Sequence, residues 1–221
     1  MFHHMPKSGG TSFAGFLEAV LNLRKDYIGG GGKKKNPERY ARYVLTAVDL
    51  SKLQATDCLA GHYNLDGSFL WQRYPNLEDF EHKKFTILRE PLDAAISGVR
   101  FGVERGKLPA VTDDADQERL ILARSNFVAR ILGITKRSEI KSALDRYWFM
   151  APLPQIDLAA KIIENEVGRK GPAVERLKVT TTAPATPLST KFISEFHKAS
   201  ALDYEIWEIA QERFAEIITR T

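Results

Sequence analysis

His4-Met5-Pro6-Lys7-Ser8-Gly9-Gly10-Thr11-Ser12 stands between a short apolar start, Phe2 to Met5, and a stretch whose apolar residues are Phe13, Phe16, Leu17, Val20 and Leu21. Spacings of three and four put those five side chains on one buried face, so the pattern predicts a helix over residues 11–23. The start is too short for periodicity to decide, but the glycine pair and the helix behind it give the order strand, loop, helix. Gly9, Gly10, Thr11 and Ser12 leave backbone N–H groups open to several oxygens of one anion at a helix N-terminus, where the dipole favours negative charge. Lys7 adds a full positive charge. Because this lysine precedes the glycines, the loop does not match G-x-x-x-x-G-K-[ST], and magnesium-dependent phosphoryl transfer loses support. The plain structural alternative is a glycine turn whose serine or threonine caps a helix.

Outward from the loop, strands and helices alternate. Asp57-Cys58-Leu59-Ala60-Gly61-His62 reads as a short buried strand, and Lys84-Phe85-Thr86-Ile87-Leu88-Arg89 as the clearest one, closed by Pro91, where a helix can start. Helices are expected over residues 37–50, 118–132 and 138–148. A last helix carries the stripe Ile206, Ile209, Ala210, Phe214, Ile217 and Ile218. Leu177-Lys178-Val179-Thr180 is a weaker strand and residues 64–67 a turn. Four glycines followed by Lys33, Lys34 and Lys35 read as a surface loop. The alternation implies an α/β fold, a mainly parallel central sheet covered by helices on both faces, whose ligands bind beyond the carboxyl ends of the strands. No linker divides residues 1–221, so one domain is expected.

With 43% apolar and 27% charged residues the chain is neither disordered, collagen-like nor membrane-embedded. A net charge of +4 suits an anionic ligand without pointing to nucleic acid. Cys58 is the only cysteine, which rules out an intrachain disulfide and a thiolate-rich zinc site and suits a reducing compartment. No basic and apolar leader precedes the loop, and no apolar run approaches the ~18 residues of a membrane span. A cytoplasmic chain, or an excised catalytic domain, is the expectation.

The string from His4 to Ser12 resembles the 5′-phosphosulfate loop of the sulfotransferases that use 3′-phosphoadenylyl sulfate (PAPS), above all the carbohydrate branch, whose members read close to H-I-P-K-T-G-G-T-S. Phe85-Thr86-Ile87-Leu88-Arg89-Glu90-Pro91, followed by Ala95-Ile96-Ser97, resembles the 3′-phosphate motif of that family, a strand ending in R-[DE]-P with a serine eight residues after the arginine. The chemistry is coherent, since a guanidinium presents a planar fork to phosphate oxygens and a serine on the second turn of the next helix donates from the same side. Ser125-Asn126-Phe127-Val128-Ala129-Arg130-Ile131-Leu132-Gly133 looks like the family's N-x-x-x-R-x-L-x-G stretch, and Leu202-Asp203-Tyr204-Glu205-Ile206-Trp207 like its closing helix. Ala94 stands where members often carry a basic residue. Asn126 and Arg130 either help hold the nucleotide or pin helices together. The resemblance, which spans nearly the whole chain, implies the three-layer, P-loop-nucleotide-hydrolase-like sulfotransferase fold. It also implies PAPS as co-substrate, no metal, and a hydroxyl-bearing acceptor that is a glycan or a small molecule. In that scheme Lys7, Ser8, Gly9, Gly10, Thr11 and Ser12 hold the 5′-phosphosulfate, and Arg89 and Ser97 hold the 3′-phosphate.

Transfer to a hydroxyl needs a base with a pKa near neutrality. His62, at the end of a strand in Ala60-Gly61-His62-Tyr63-Asn64, resembles the catalytic histidine of uronyl and heparan sulfate 2-O-sulfotransferases and is the candidate base, with Lys7 stabilising the leaving phosphate. Its plain alternative is a hydrogen-bonded core histidine. His3 and His4 point to opposite faces of one strand, which makes a shared metal improbable, and His4 supports the loop. His82 and His197 read as surface residues, and Asp66 or Glu90 as alternative bases. Tyr63, Trp71 and Tyr74 either stack on a sugar ring or fill the core. Two rival functions stand beside this one: a nucleotide or small-molecule kinase on the same loop, and a non-catalytic nucleotide-binding protein, which the joint presence of Lys7, His62, Arg89 and Ser97 disfavours.

Overall fold

The computed structural model describes residues 1–27, 37–63, 69–175 and 187–220. The glycine–lysine loop, the turn at 64–67 with Asp66, and the strand at 177–180 lie outside the described residues.

Among the described residues five strands make one sheet: Phe2–His3 (β1), Asn22–Lys25 (β2), Asp57–Gly61 (β3), Phe85–Leu88 (β4) and Phe149–Pro152 (β5), in the order β2-β3-β1-β4-β5. Every pairing is parallel. The helices are Gly10–Val20 (α1), Pro37–Leu45 (α2), Leu70–Arg73 (α3), Pro91–Glu104 (α4), Asp114–Leu122 (α5), Phe127–Leu132 (α6), Ile140–Leu144 (α7), Ile156–Val167 (α8), Thr190–Ala199 (α9) and Ala201–Arg220 (α10). Among the described residues no helix is long and apolar enough to cross a membrane.

Side chains alternate across the strands and so feed two cores. Phe2, Ala60, Phe85, Ile87, Phe149 and Ala151 face α1 and α8, meeting Phe13, Phe16, Leu17, Ala159 and Ile163. Met5, Leu88 and Met150 face the other way, towards Val128 and Ile131 of α6, Ile140 and Leu144 of α7, and Ile206 and Ala210 of α10. Phe2 and Phe13 are fully buried and meet edge to face at 5.5 Å. Each such ring stabilises the fold by roughly 2–3 kcal/mol. Helices on both faces of a parallel sheet are the expected three layers.

Several boundaries differ from the sequence pattern. The first helix stops at Val20, Leu21 is extended, and Asn22–Lys25 pairs with β3 as an edge strand. Its Asn-Leu-Arg-Lys sequence is mostly exposed and carries no apolar alternation, because an edge strand open to water has little to bury. The helix from Pro37 ends at Leu45 rather than at 50. The helix expected over 118–132 is two, α5 and α6, separated by a turn in which Asn126 takes a left-handed φ of 50°. The one expected over 138–148 shrinks to α7, and β5 follows at Phe149–Pro152. β5 tolerates Pro152 because it is an edge strand. Helix α8, with Ile156, Ala159, Ala160, Ile162 and Ile163 buried, was legible in its spacing but lies outside the expected set.

Candidate active site

A parallel sheet puts all its carboxyl ends on one edge. That edge carries His4 after β1, Asp26 and Tyr27 after β2, His62 after β3 and Arg89 after β4. Hydrogen bonds hold the ends in register: His4 N donates to Gly61 O at 2.9 Å and Asp26 N to Ala60 O at 2.7 Å.

The loop leaves β1 through left-handed turns at Lys7 (φ 66°) and Gly9 (φ 72°). A left-handed lysine is uncommon and costs about 1 kcal/mol or more. Such turns make successive N–H groups line an anion-binding concavity, here at the N-terminus of α1. Gly9 is the N-cap, and no side chain caps the helix there. Ser8 and Ser12 are buried and Thr11 is exposed. The Lys7 ammonium lies 4.2 Å over the Phe101 ring, which belongs to α4. Gly10 is required sterically, since a Cβ there would overlap the His4 imidazole.

His62 is half-buried and its Nδ1 lies 2.6 Å from the His4 carbonyl oxygen. A carbonyl only accepts, so Nδ1 carries the proton and Nε2 is left with the lone pair, the tautomer a general base needs. Burial pushes the His62 pKa below its ordinary 6.5, with the bond to His4 opposing the shift. The imidazoles of His62 and His4 are 4.2 Å apart, and the Tyr27 ring meets His62 at 4.9 Å and His4 at 5.7 Å. Tyr27 Oη and His4 Nδ1 share a 2.8 Å hydrogen bond. His62 is therefore one imidazole away from Gly10 of the loop. Gly61 makes this possible, because a Cβ there would overlap the Asp26 carbonyl and the Tyr63 ring.

Behind Tyr27 lies a buried ion pair. Arg73 grips Asp26 through Nε and Nη2 at 2.7 and 2.6 Å, Tyr74 Oη donates to Asp26 at 2.6 Å, and the Arg73 guanidinium also stacks 3.4 Å over Tyr43. The pair fixes the end of β2 and with it Tyr27. Sequence reasoning missed Asp26, Tyr27 and Arg73, because partners 47 positions apart leave no local spacing signal.

Other candidates fall into place. His3 is buried on the opposite face, where its Nε2 donates to Tyr63 O and its Nδ1 accepts from Tyr147 Oη at 2.6 Å. Burial lowers its pKa to about 4, so it is a neutral core residue. Tyr63 and Tyr74 are buried in a core cluster beside Leu70 and Leu77, while Trp71 is partly buried against Tyr147 and the Arg146 guanidinium. His197 is exposed and stacks on Tyr204, whereas His82 is half-buried on Leu50 O rather than on the open surface. Glu90 accepts from Asp93 N at 2.7 Å as the cap of α4 and from Tyr204 Oη at 2.6 Å. It is occupied as a cap.

Arg89 stands at the end of β4, partly exposed, with Asp93 at a loose 3.8 Å. Ser97 is buried on the second turn of α4. Asn126 holds the junction of α9 and α10, donating to Ala199 O and accepting from Leu202 and Asp203 N. Arg130 is exposed and donates to Ser125 O at 2.7 Å. Of the two readings open for Asn126, these contacts favour the structural one. Among the described residues no three histidine, cysteine or carboxylate side chains converge on a metal-sized space.

Neither a protein-family model nor a curated protein sequence matches the chain. Among solved structures, a sulfotransferase from Alicyclobacillus acidocaldarius superposes with a TM-score of 0.50 at 16% identity, over 94% of this chain and 93% of that one. Mouse sulfotransferase SULT7A1 complexed with PAP matches with a TM-score of 0.47 at 12% identity, over 90% of this chain. The match covers 62% of the mouse chain, less than two thirds of its length. The bacterial likeness, with the parallel sheet and the loop after β1, shows the fold to be that of the sulfotransferases.

Proposed function

We propose that this chain is a sulfotransferase that moves the sulfuryl group of PAPS to a hydroxyl on a carbohydrate. One observation carries the reading: His62, with Nε2 as its acceptor nitrogen, lies one imidazole from the N-terminus of a helix preceded by a lysine and a left-handed glycine. A base and an anion cradle that close belong to a group transfer between an anionic donor and a protic acceptor.

The donor's 5′-phosphosulfate meets the loop amides and Lys7, and its 3′-phosphate meets Arg89 and Ser97. As the acceptor oxygen bonds to sulfur, His62 Nε2 takes the hydroxyl proton and the bond from sulfur to the phosphate oxygen breaks. The electron pair leaves on that oxygen, where Lys7 and the end of α1 stabilise it. Donation from Nδ1 to the His4 carbonyl keeps Nε2 aimed and also stabilises the imidazolium that forms. Tyr27, held by the Asp26–Arg73 pair, keeps His4 and His62 in place. The sugar acceptor rests on the likeness of the His4–Ser12 string and the Gly61-His62 segment to the carbohydrate branch.

Purified protein is offered PAPS with panels of glycans, lipids and small hydroxyl compounds, and products are read by mass spectrometry. A sulfated glycan formed together with adenosine 3′,5′-bisphosphate (PAP) is expected. Sulfation of a non-sugar hydroxyl would keep the transfer and remove the carbohydrate. Consumption of magnesium ATP in place of PAPS would replace the reading with the kinase.

A further inference from the structure

Arg124 lies in the turn between α5 and α6, and its guanidinium packs against α4 at Gly98, where a Cβ would overlap its Nε, Cζ and Nη2 atoms. Only glycine lets an arginine come so close to that helix. Its Cζ sits 4.6 Å over the Phe127 ring. The Nε is buried with no hydrogen-bond partner, and among the described residues no carboxylate pairs with the group. Burial and the neighbouring charge of Arg130 depress its pKa, the mark of a cation short of counter-charge. The enclosed Nε is out of a ligand's reach, so an anion would meet the terminal Nη groups and supply the counter-charge that the desolvated cation lacks.

Its position says which anion. Gly98 follows Ser97 directly and lies one turn from Phe101, whose ring carries the Lys7 ammonium. Lys7 from the phosphate loop, Ser97 from α4 and Arg124 from the α5–α6 turn thus address one side of one helix. Arg89, at the strand end before that helix, already has Asp93 nearby. Arg124 has only an aromatic face beneath it, which fixes the guanidinium plane and leaves its edge for oxygens.

We propose that Arg124 is a ligand of the donor's 3′-phosphate and makes the site select a 3′-phosphorylated nucleotide. The proposal rests on the reading of the chain as a PAPS-dependent transferase.

Calorimetric titration with PAP and with adenosine 5′-monophosphate, which lacks the 3′-phosphate, tests it on the whole chain. Wild type is expected to prefer PAP. Arg124→Gln should lose PAP affinity by roughly 10–100-fold while its monophosphate affinity stays within about threefold, and Arg124→Lys should recover part of the loss. Gly98→Ala keeps the charge but displaces it, and should show the same selective loss. If Arg124→Gln retains the wild-type preference for PAP, the assignment of Arg124 is wrong and the donor reading survives. An equal loss for both nucleotides also overturns the assignment, since it marks a general structural role. If wild type itself does not distinguish the two nucleotides, the donor reading fails first.

Discussion

Asn126 and Asp203 cap each other's helices. The Asn126 amide oxygen accepts from Leu202 and Asp203 N at 3.1 and 3.3 Å at the start of α10, and the Asp203 carboxylate accepts from Val128 and Ala129 N at 3.1 and 2.7 Å at the start of α6. Each side chain satisfies orphan donors of the other segment, tying together two stretches 77 positions apart. Asparagine also tolerates the left-handed φ of 50° better than alanine does. Asn126→Ala should therefore cost about 2–4 kcal/mol in urea unfolding, and Asn126→Gly roughly 1 kcal/mol less. Equal losses would leave the backbone no part in it. PAP affinity unchanged in Asn126→Gly would bear out the structural role.

Asp203 is nearly fully buried, and burial raises its pKa from 3.8 to about 6 against the pull of the three backbone N–H groups of Phe127, Val128 and Ala129. Between those values the folded chain binds the proton more tightly than the unfolded chain. Stability therefore falls as pH rises from about 4 to 6, by about 1.4 kcal/mol per pH unit. Asp203→Asn removes the titration. The stability of wild type relative to this variant should drop between pH 4.5 and pH 7; a constant difference would mean the carboxyl titrates normally.

How much of this the sequence carried depended on how far apart the partners lie. The order β1, loop, α1 was legible because Phe13, Phe16 and Leu17 and the two glycines sit within a few positions of each other. β4 was legible because Phe85 to Leu88 is buried on both faces and stopped by Pro91. The edge strand Asn22–Lys25 was not, since its ladder to β3 is made by backbone and leaves no side-chain pattern. Of the candidate site residues, Lys7, His62, Arg89 and Ser97 were reachable from short motifs. Tyr27 was not, because what makes it matter is its bond to His4 and the Asp26–Arg73 pair behind it, both of which appear only on folding.

The donation from His62 Nδ1 to His4 O sets a kinetic signature. With its pKa held below 6.5, His62 is the free base at neutral pH, so the acid limb of kcat/KM for the sulfated acceptor should lie below pH 6.5. His62→Ala should lower turnover by about 10²–10⁴-fold and erase that limb. PAP affinity should stay within about threefold, because in the proposed transfer the imidazole meets the acceptor and not the nucleotide. A variant that keeps both rate and limb would take His62 out of the chemistry.

The proposed transfer gives Lys7 two tasks that substitution can separate. Its ammonium rests on Phe101 at 4.2 Å, a contact of about 0.5–1 kcal/mol that keeps the charge near the loop before donor arrives. The ground-state donor already carries charge for Lys7 to meet, but charge on the bridging oxygen grows only as the bond to sulfur breaks, so the lysine should act more on turnover than on binding. Lys7→Ala is a poor probe alone, because its left-handed φ of 66° strains alanine as well as removing the charge. Lys7→Gly relaxes the backbone and removes only the ammonium. In that variant kcat should fall by about 100-fold or more and PAP affinity by about tenfold. A larger effect on affinity than on kcat would make Lys7 a donor-binding residue first. A large defect in Lys7→Ala that Lys7→Gly fully restores would shift the role from the charge to the turn itself.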